Sequence, residues 1–258
     1  MNKDSFAKIK GFTLAEVLIT LTIIGVIAAM TVPTLYTKYQ KYTFVVGLKK
    51  AYATLQNAVK MIPLTEGCPA GDYVCAGLLE DNGKATDIDG KNFNGDARVK
   101  KAYLLSKHMK VDKFCDGDYG RGKSTCYRGE TINDKNRQIY NILFYSPQAG
   151  FITQDGMIWV VSWSDDSTSS ASRASNGVIV DVNGKKGPNI DGIDTFRFTI
   201  AGPEVNGVKA GTVMPSGSRQ YLKYVYGTEQ FNFTYCKPPE QITALCTGKV
   251  LEENAINY

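Results

Sequence analysis

Histidine is almost absent from the 258-residue sequence, with His108 the single example, and the shortage narrows the chemistry from the outset. Nucleophilic catalysis most often pairs a serine or cysteine with a histidine base. His108 falls beside Lys107 in a stretch of helical character, and no GxSxG sequence occurs in the chain. Its expected role is structural. The acidic pairs Asp165-Asp166 and Glu252-Glu253 lie in polar surroundings, where adjacent carboxylates are ordinarily solvated. No phosphate-binding or dinucleotide-binding loop is assigned. The reading is that the chain is not an enzyme.

Long runs of one charge are missing too. The net charge of +5 is modest for this length, and the basic residues are interleaved with acidic ones. Nucleic acid, which calls for a basic patch or stripe, is therefore not an expected partner. CxxC spacing is absent as well, and with one histidine no zinc-site pattern remains. The six cysteines permit many pairings, of which the local set is taken here: Cys68 with Cys75, Cys115 with Cys126, and Cys236 with Cys246. Disulfides would place the folded part outside the reducing cytoplasm.

The sequence does contain one long apolar run. From Phe12 to Val32 every residue is apolar or small except Glu16 and four threonines. As a helix this run is about 30 Å long, which matches the hydrocarbon core of a bilayer. Lys3, Lys8 and Lys10 precede it against one acid, Asp4, a flank of the kind that stays cytoplasmic, although Lys38 and Lys41 follow soon after. A cleaved secretory signal would have a shorter apolar core, and here the helical pattern continues beyond it. Apolar residues recur at Leu35, Tyr39, Tyr42 and Val46, and then at Val45, Leu48, Tyr52, Leu55, Val59 and Ile62. The spacing predicts one helix of about 50 residues ending at Pro63, with a kink at Pro33 and a looser turn at Gly25. Glu16 is the anomaly. A carboxylate at the centre of a membrane helix costs about 2.5–3.5 kcal/mol even on mild scales, so it calls for a partner.

The stretch "KGFTLAEVLITLTIIGVIAAMTVP" resembles the N terminus of type IV pilins and type II secretion pseudopilins. It has a short basic leader ending in Gly11, the aromatic Phe12, Glu16 as the fifth residue after that point, and Pro33 farther along. The resemblance implies a prepilin peptidase that cuts between Gly11 and Phe12 and methylates the new amine. It also implies that Glu16 of one subunit pairs with the amine of its neighbour during filament assembly. On that basis residues 1–11 are a cleaved leader, 12–62 a long helix that spans the membrane in 12–32, and 63–258 a globular head. The partners implied are other subunits, the peptidase, an inner-membrane assembly platform, and the lipid bilayer before assembly. The location implied is the bacterial inner membrane as a single-pass protein with a periplasmic head, and then a periplasmic pseudopilus or a surface pilus. The fold implied is α+β: a long N-terminal helix packed on an antiparallel sheet, with disulfide-bounded loops. A membrane-anchored periplasmic binding or enzymatic module with an uncleaved signal anchor is the alternative.

Beyond Pro63 the composition turns to glycine, asparagine, aspartate and threonine. Residues 64–96 read as a turn-rich loop region tied by Cys68 and Cys75. A second helix is predicted from Ala97 to Lys110, with Asp96 as its N-cap. Strands are predicted at Gln138–Tyr145, Gly150–Thr153, Met157–Trp163, Gly177–Val182 and Thr195–Ile200. Asp155-Gly156 supplies a two-residue hairpin turn, and Trp159 shares a core-facing side with Val161. Ser164 to Asn176 reads as a polar exposed loop. Near the C terminus "RQYLKYVYG" and "QFNFTYC" read as aromatic strands. The Cys236–Cys246 loop, which holds Pro238-Pro239, is similar to the C-terminal disulfide loop of many type IV pilins.

One loop is rich in hard oxygen donors: Asp181, Asn183, Asn189, Asp191 and Asp194, with glycines between. Calcium takes six to eight oxygens, and such loops can wrap it. The spacing is not that of an EF-hand, and Asx-turns account for the same composition without a metal. Major pseudopilins hold calcium in a loop of their C-terminal β-region, so the resemblance adds calcium as the one candidate cofactor. No other is expected.

Overall fold

The computed structural model describes residues 11–79, 97–115, 117–118, 123–124, 149–163, 176–230, 236 and 245–258. The chain divides into two compact units, Met1–Lys41 and Tyr42–Tyr258. Helix α1 (Leu14–Thr65) begins in the first and ends in the second.

In the first unit the apolar side chains of α1 are exposed on every side, from Leu14 through Ile19, Ile24 and Met30. In the second unit the helix becomes one-sided. Phe44, Val45, Leu48, Ala51, Leu55, Ala58, Val59 and Ile62 are buried, and half-buried Tyr52 stacks on Phe198 with ring centroids 5.6 Å apart. This is the core face that the steps of three and four predict.

The helix packs in one hydrophobic core with residues of a six-stranded, fully antiparallel sheet. Its strands are β1 (Val111–Phe114), β4 (Gly150–Thr153), β5 (Ile158–Trp163), β6 (Asn176–Asp181), β7 (Thr195–Ile200) and β8 (Val213–Pro215), hydrogen-bonded in that order. The period of two in a strand sorts their side chains. Phe151, Trp159, Val161, Val178, Val180, Phe196 and Phe198 join the core that holds α1. Ile158, Val160 and Ile179 gather in a second cluster with Cys115. The fold is thus α+β with disulfide loops, as the resemblance implies.

Several local expectations are corrected. Helix α1 runs to Thr65, past Pro63, because Pro63 is itself buried beside Ile62 and that packing outweighs the one hydrogen bond a proline forfeits. Helix α2 (Ala97–Ser106) stops short of Lys110. Its chain tightens through His108 N–H to Leu105 O and Met109 N–H to Ser106 O, and the Lys110 carbonyl then accepts from Gln154 N–H at 2.8 Å, next to strand β4. The run "RQYLKYVYG" is not a strand but helix α3 (Arg219–Tyr226). Ser218 caps its N terminus, accepting from Tyr221 N–H, and Gly227 closes it in the left-handed conformation at φ 70°. Tyr221, Leu222, Tyr224 and Val225 are buried at helical spacing, and this packing overrides the strand preference of the aromatics. Helix α4 (Cys246–Glu253) was not expected from the sequence. Gly248 on it permits a close backbone approach, since a Cβ there would stand 2.3 Å from Ser218 N. Predicted features at Asp96, Cys126, Gln138–Tyr145, Asp165-Asp166, Pro238-Pro239 and most of the 164–176 loop and "QFNFTYC" lie outside the described residues, as does the leader before Gly11.

Candidate processing and assembly segment

Gly11, Phe12 and Thr13 precede the first helical residue, Leu14, and Phe12 is 87% exposed. Thr13 and Glu16 then close a reciprocal pair. The Thr13 N–H donates to Glu16 Oε2 at 2.8 Å and the Thr13 hydroxyl donates to the same oxygen at 2.9 Å. In return Glu16 N–H donates to Thr13 Oγ1 at 3.2 Å. This is a capping box, with Thr13 as N-cap and Glu16 three residues on. The sequence reading missed it, although T-L-A-E before an apolar run is its signature. The carboxylate therefore has a partner inside its own subunit, at the positive end of the helix dipole where an anion is favoured.

The other polar groups of the span are also internally satisfied. Thr20 Oγ1 donates to Glu16 O at 3.0 Å, Thr22 to Leu18 O at 2.7 Å, and Thr31 to Ile27 O at 2.9 Å. Threonines that bond their own helix are tolerated in hydrocarbon, where an unsatisfied group is costly. By length and composition α1 can cross a membrane, and its most apolar stretch is exposed.

Residues 6–32 match the family model described as the prokaryotic N-terminal methylation motif. The chain carries the type IV pilin and pseudopilin signature. No solved structure matches the chain. Within the signature, Gly11, Phe12 and Glu16 lie together at the start of α1, and the helix continues without interruption through Gly25 and, past the signature, through Pro33.

The oxygen-rich loop follows β6. Asp194 is fully buried and accepts from Asn189 N–H at 2.8 Å and Ile190 N–H at 2.7 Å. Burial pushes its carboxyl above the usual range, and those bonds, with one from the Asn183 side chain, oppose the shift. Asp191 faces Arg197, whose Nη2 is 2.6 Å away, and Asp181 accepts from Asn183 N–H at 3.1 Å. Among the described residues no group of three or more His, Cys, Asp or Glu side chains is placed to hold a metal ion. Two buried oxygens here, Asn183 Oδ1 and Thr195 Oγ1, have no hydrogen-bond partner among the described residues. The carboxylates of Asp181, Asp191 and Asp194 each meet donors of the chain itself.

Cys68 is bonded to Cys75, and Cys236 to Cys246. Cys115 is disulfide-bonded as well, and its expected partner, Cys126, lies outside the described residues. His108 is half-buried, with Nε2 3.0 Å from Thr65 Oγ1, where it joins the end of α1 to the end of α2.

Residues 117–124, GDYGRGKS, fit the GxxxxGK[ST] spacing of a phosphate-binding loop, a coincidence that the sequence reading passed over. The described residues among them, 117–118 and 123–124, take another form. Strands β2 (Gly117–Asp118) and β3 (Lys123–Ser124) pair antiparallel, Gly117 with Ser124 and Asp118 with Lys123. A phosphate-binding loop instead sets its lysine and the following serine or threonine at the start of a helix, whereas Lys123 and Ser124 lie on a strand.

Proposed function

We propose that the chain is a structural subunit of a type IV pilus or a type II secretion pseudopilus, cut by a prepilin peptidase between Gly11 and Phe12 and methylated on the new amine. Before assembly, residues 12–32 hold it in the inner membrane with the head in the periplasm. Assembly through an inner-membrane platform then packs α1 against the same helix of neighbouring subunits. The observation that carries this reading is a single carboxylate, Glu16, at the start of the exposed apolar stretch of α1, within the segment that matches the methylation motif.

The energetics favour a polymer. A lone subunit carries an amine and an acid near lipid, where the acid is hydrogen-bonded by Thr13 but, among the described residues, its charge has no cation beside it. In a filament the amine on Phe12 of one subunit meets Glu16 of the next, and the attraction is strong because the surroundings are apolar. The pairing favours one axial register. The head, residues 63–258, is large for this role, which points to a minor or specialised subunit rather than the bulk of a fibre. A structural role follows from the same reading, with no catalytic step assigned to any residue.

Glu16→Ala tests the proposal in cells that supply the peptidase and the assembly machinery. Cleavage should persist and recovery of the subunit in filaments should fall. Equal incorporation of the variant would show that Glu16 does not drive assembly.

A further inference from the structure

We infer that Thr13 is the positioning residue for the assembly carboxylate: it commits one oxygen of Glu16 and leaves the other presented to a neighbouring subunit. The inference rests on the assembly reading above. Both bonds that the Glu16 side chain accepts fall on Oε2, from the Thr13 N–H at 2.8 Å and the Thr13 hydroxyl at 2.9 Å. Among the described residues Oε1 accepts none.

A hydroxyl has one proton to give and two lone pairs to receive with. Thr13 uses its proton on Oε2 and accepts the Glu16 N–H, so its side chain is locked in place by the residue it holds. Glu16 in turn has little rotameric freedom left. An ionised carboxylate has about four acceptor positions, and Thr13 takes two of them on one oxygen. A neighbour's ammonium can therefore bond Oε1 without breaking the cap. Helix capping and subunit pairing use different atoms of one side chain, and the ordering of that side chain is complete before the neighbour arrives.

The test compares wild type, Glu16→Ala, Thr13→Val and Thr13→Ser in the presence of the peptidase and the assembly machinery. Intact mass reports cleavage, and the amount recovered in sheared filaments reports incorporation. All four should be cut after Gly11. Valine keeps the shape of threonine without its hydroxyl, and incorporation should drop about fivefold, the scale of a lost N-cap bond. Serine keeps the hydroxyl and should incorporate within about twofold of wild type. Circular dichroism of the Thr13→Val protein in micelles should show α1 still helical. If Glu16→Ala incorporates normally, the assembly reading falls and this inference with it. If Glu16→Ala fails while Thr13→Val incorporates normally, the assembly reading stands and positioning by Thr13 is overturned. Failure of Thr13→Ser, or loss of the helix in Thr13→Val, would likewise overturn it.

Discussion

Lys50 Nζ lies 2.8 Å from Asp155 Oδ2 and joins helix α1 to the turn between β4 and β5. Asp155 also accepts from the Thr153 hydroxyl and from Met157 N–H, so one carboxylate organises the Asp155-Gly156 hairpin and ties it to the helix. Burial opposes ionisation of Asp155, but the bonds from Lys50, Thr153 and Met157, together with the Lys50 charge, outweigh it and hold the carboxyl below its ordinary value. An acid whose folded value is depressed stabilises the fold above its unfolded value near 3.8 and loses that contribution as pH falls through the folded value. Asp155→Asn should therefore flatten the acid limb of the head's stability curve. The loss at neutral pH should be about 1 kcal/mol, because Lys50 is largely exposed and screened. Urea denaturation of the two proteins at pH 3 and pH 7 checks both statements.

Leu55 is fully buried at the centre of the α1 core face. Leu55→Ala should cost about 2–5 kcal/mol through the cavity it leaves, and Leu55→Asp should abolish head packing by burying an unpaired charge. Membrane insertion should be unaffected in both variants, because the apolar span ends well before this position. Protease sensitivity of the head, measured alongside membrane fractionation, separates the two effects.

His108 is the one histidine in the chain, so its titration can be followed without assignment. Burial lowers its pKa and the nearby Lys107 adds to that, while Glu66 opposes it, and the net value lies below 6.5. A base depressed in this way favours the folded head above 6.5, and the contribution is lost as pH falls through the folded value. The imidazole signal should show a midpoint below 6.5 in the folded protein and near 6.5 in urea. Thr65→Val should destabilise the junction of α1 and α2 by about 1 kcal/mol, since it removes the hydroxyl that His108 meets.

Asp194→Asn tests the loop after β6. Both carboxylate oxygens receive backbone N–H groups, and an amide nitrogen in place of one of them cannot accept. The expected loss is about 1–3 kcal/mol, the cost of leaving a buried donor unsatisfied. Chemical denaturation checks the size, and hydrogen exchange at Asn189 and Ile190 checks that the loss is local.

The features legible in the sequence are those with a long period or a strong punctuation. The face from Val45 to Ile62 repeats over several turns, and the Asp155-Gly156 turn sits between two apolar runs, so both were readable at a distance. The run Arg219–Tyr226 was not, because its aromatics favour a strand locally and only the caps at Ser218 and Gly227, with burial of Tyr221 and Tyr224, make it a helix. Strands β1 and β8 are too short to carry an alternation. At the functional segment, Gly11, Phe12 and Glu16 could be picked out by spacing. Thr13 was the omission, because its role is visible only once the threonine hydroxyl and the Glu16 carboxylate are seen to exchange hydrogen bonds.

The most direct measurement is the intact mass of the chain recovered from membranes of cells with an active prepilin peptidase. The account predicts a protein that begins at Phe12 and carries one methyl group on its new amine. A chain that still begins at Met1 in those cells would contradict it, because no amine would then exist at Phe12 to pair with Glu16.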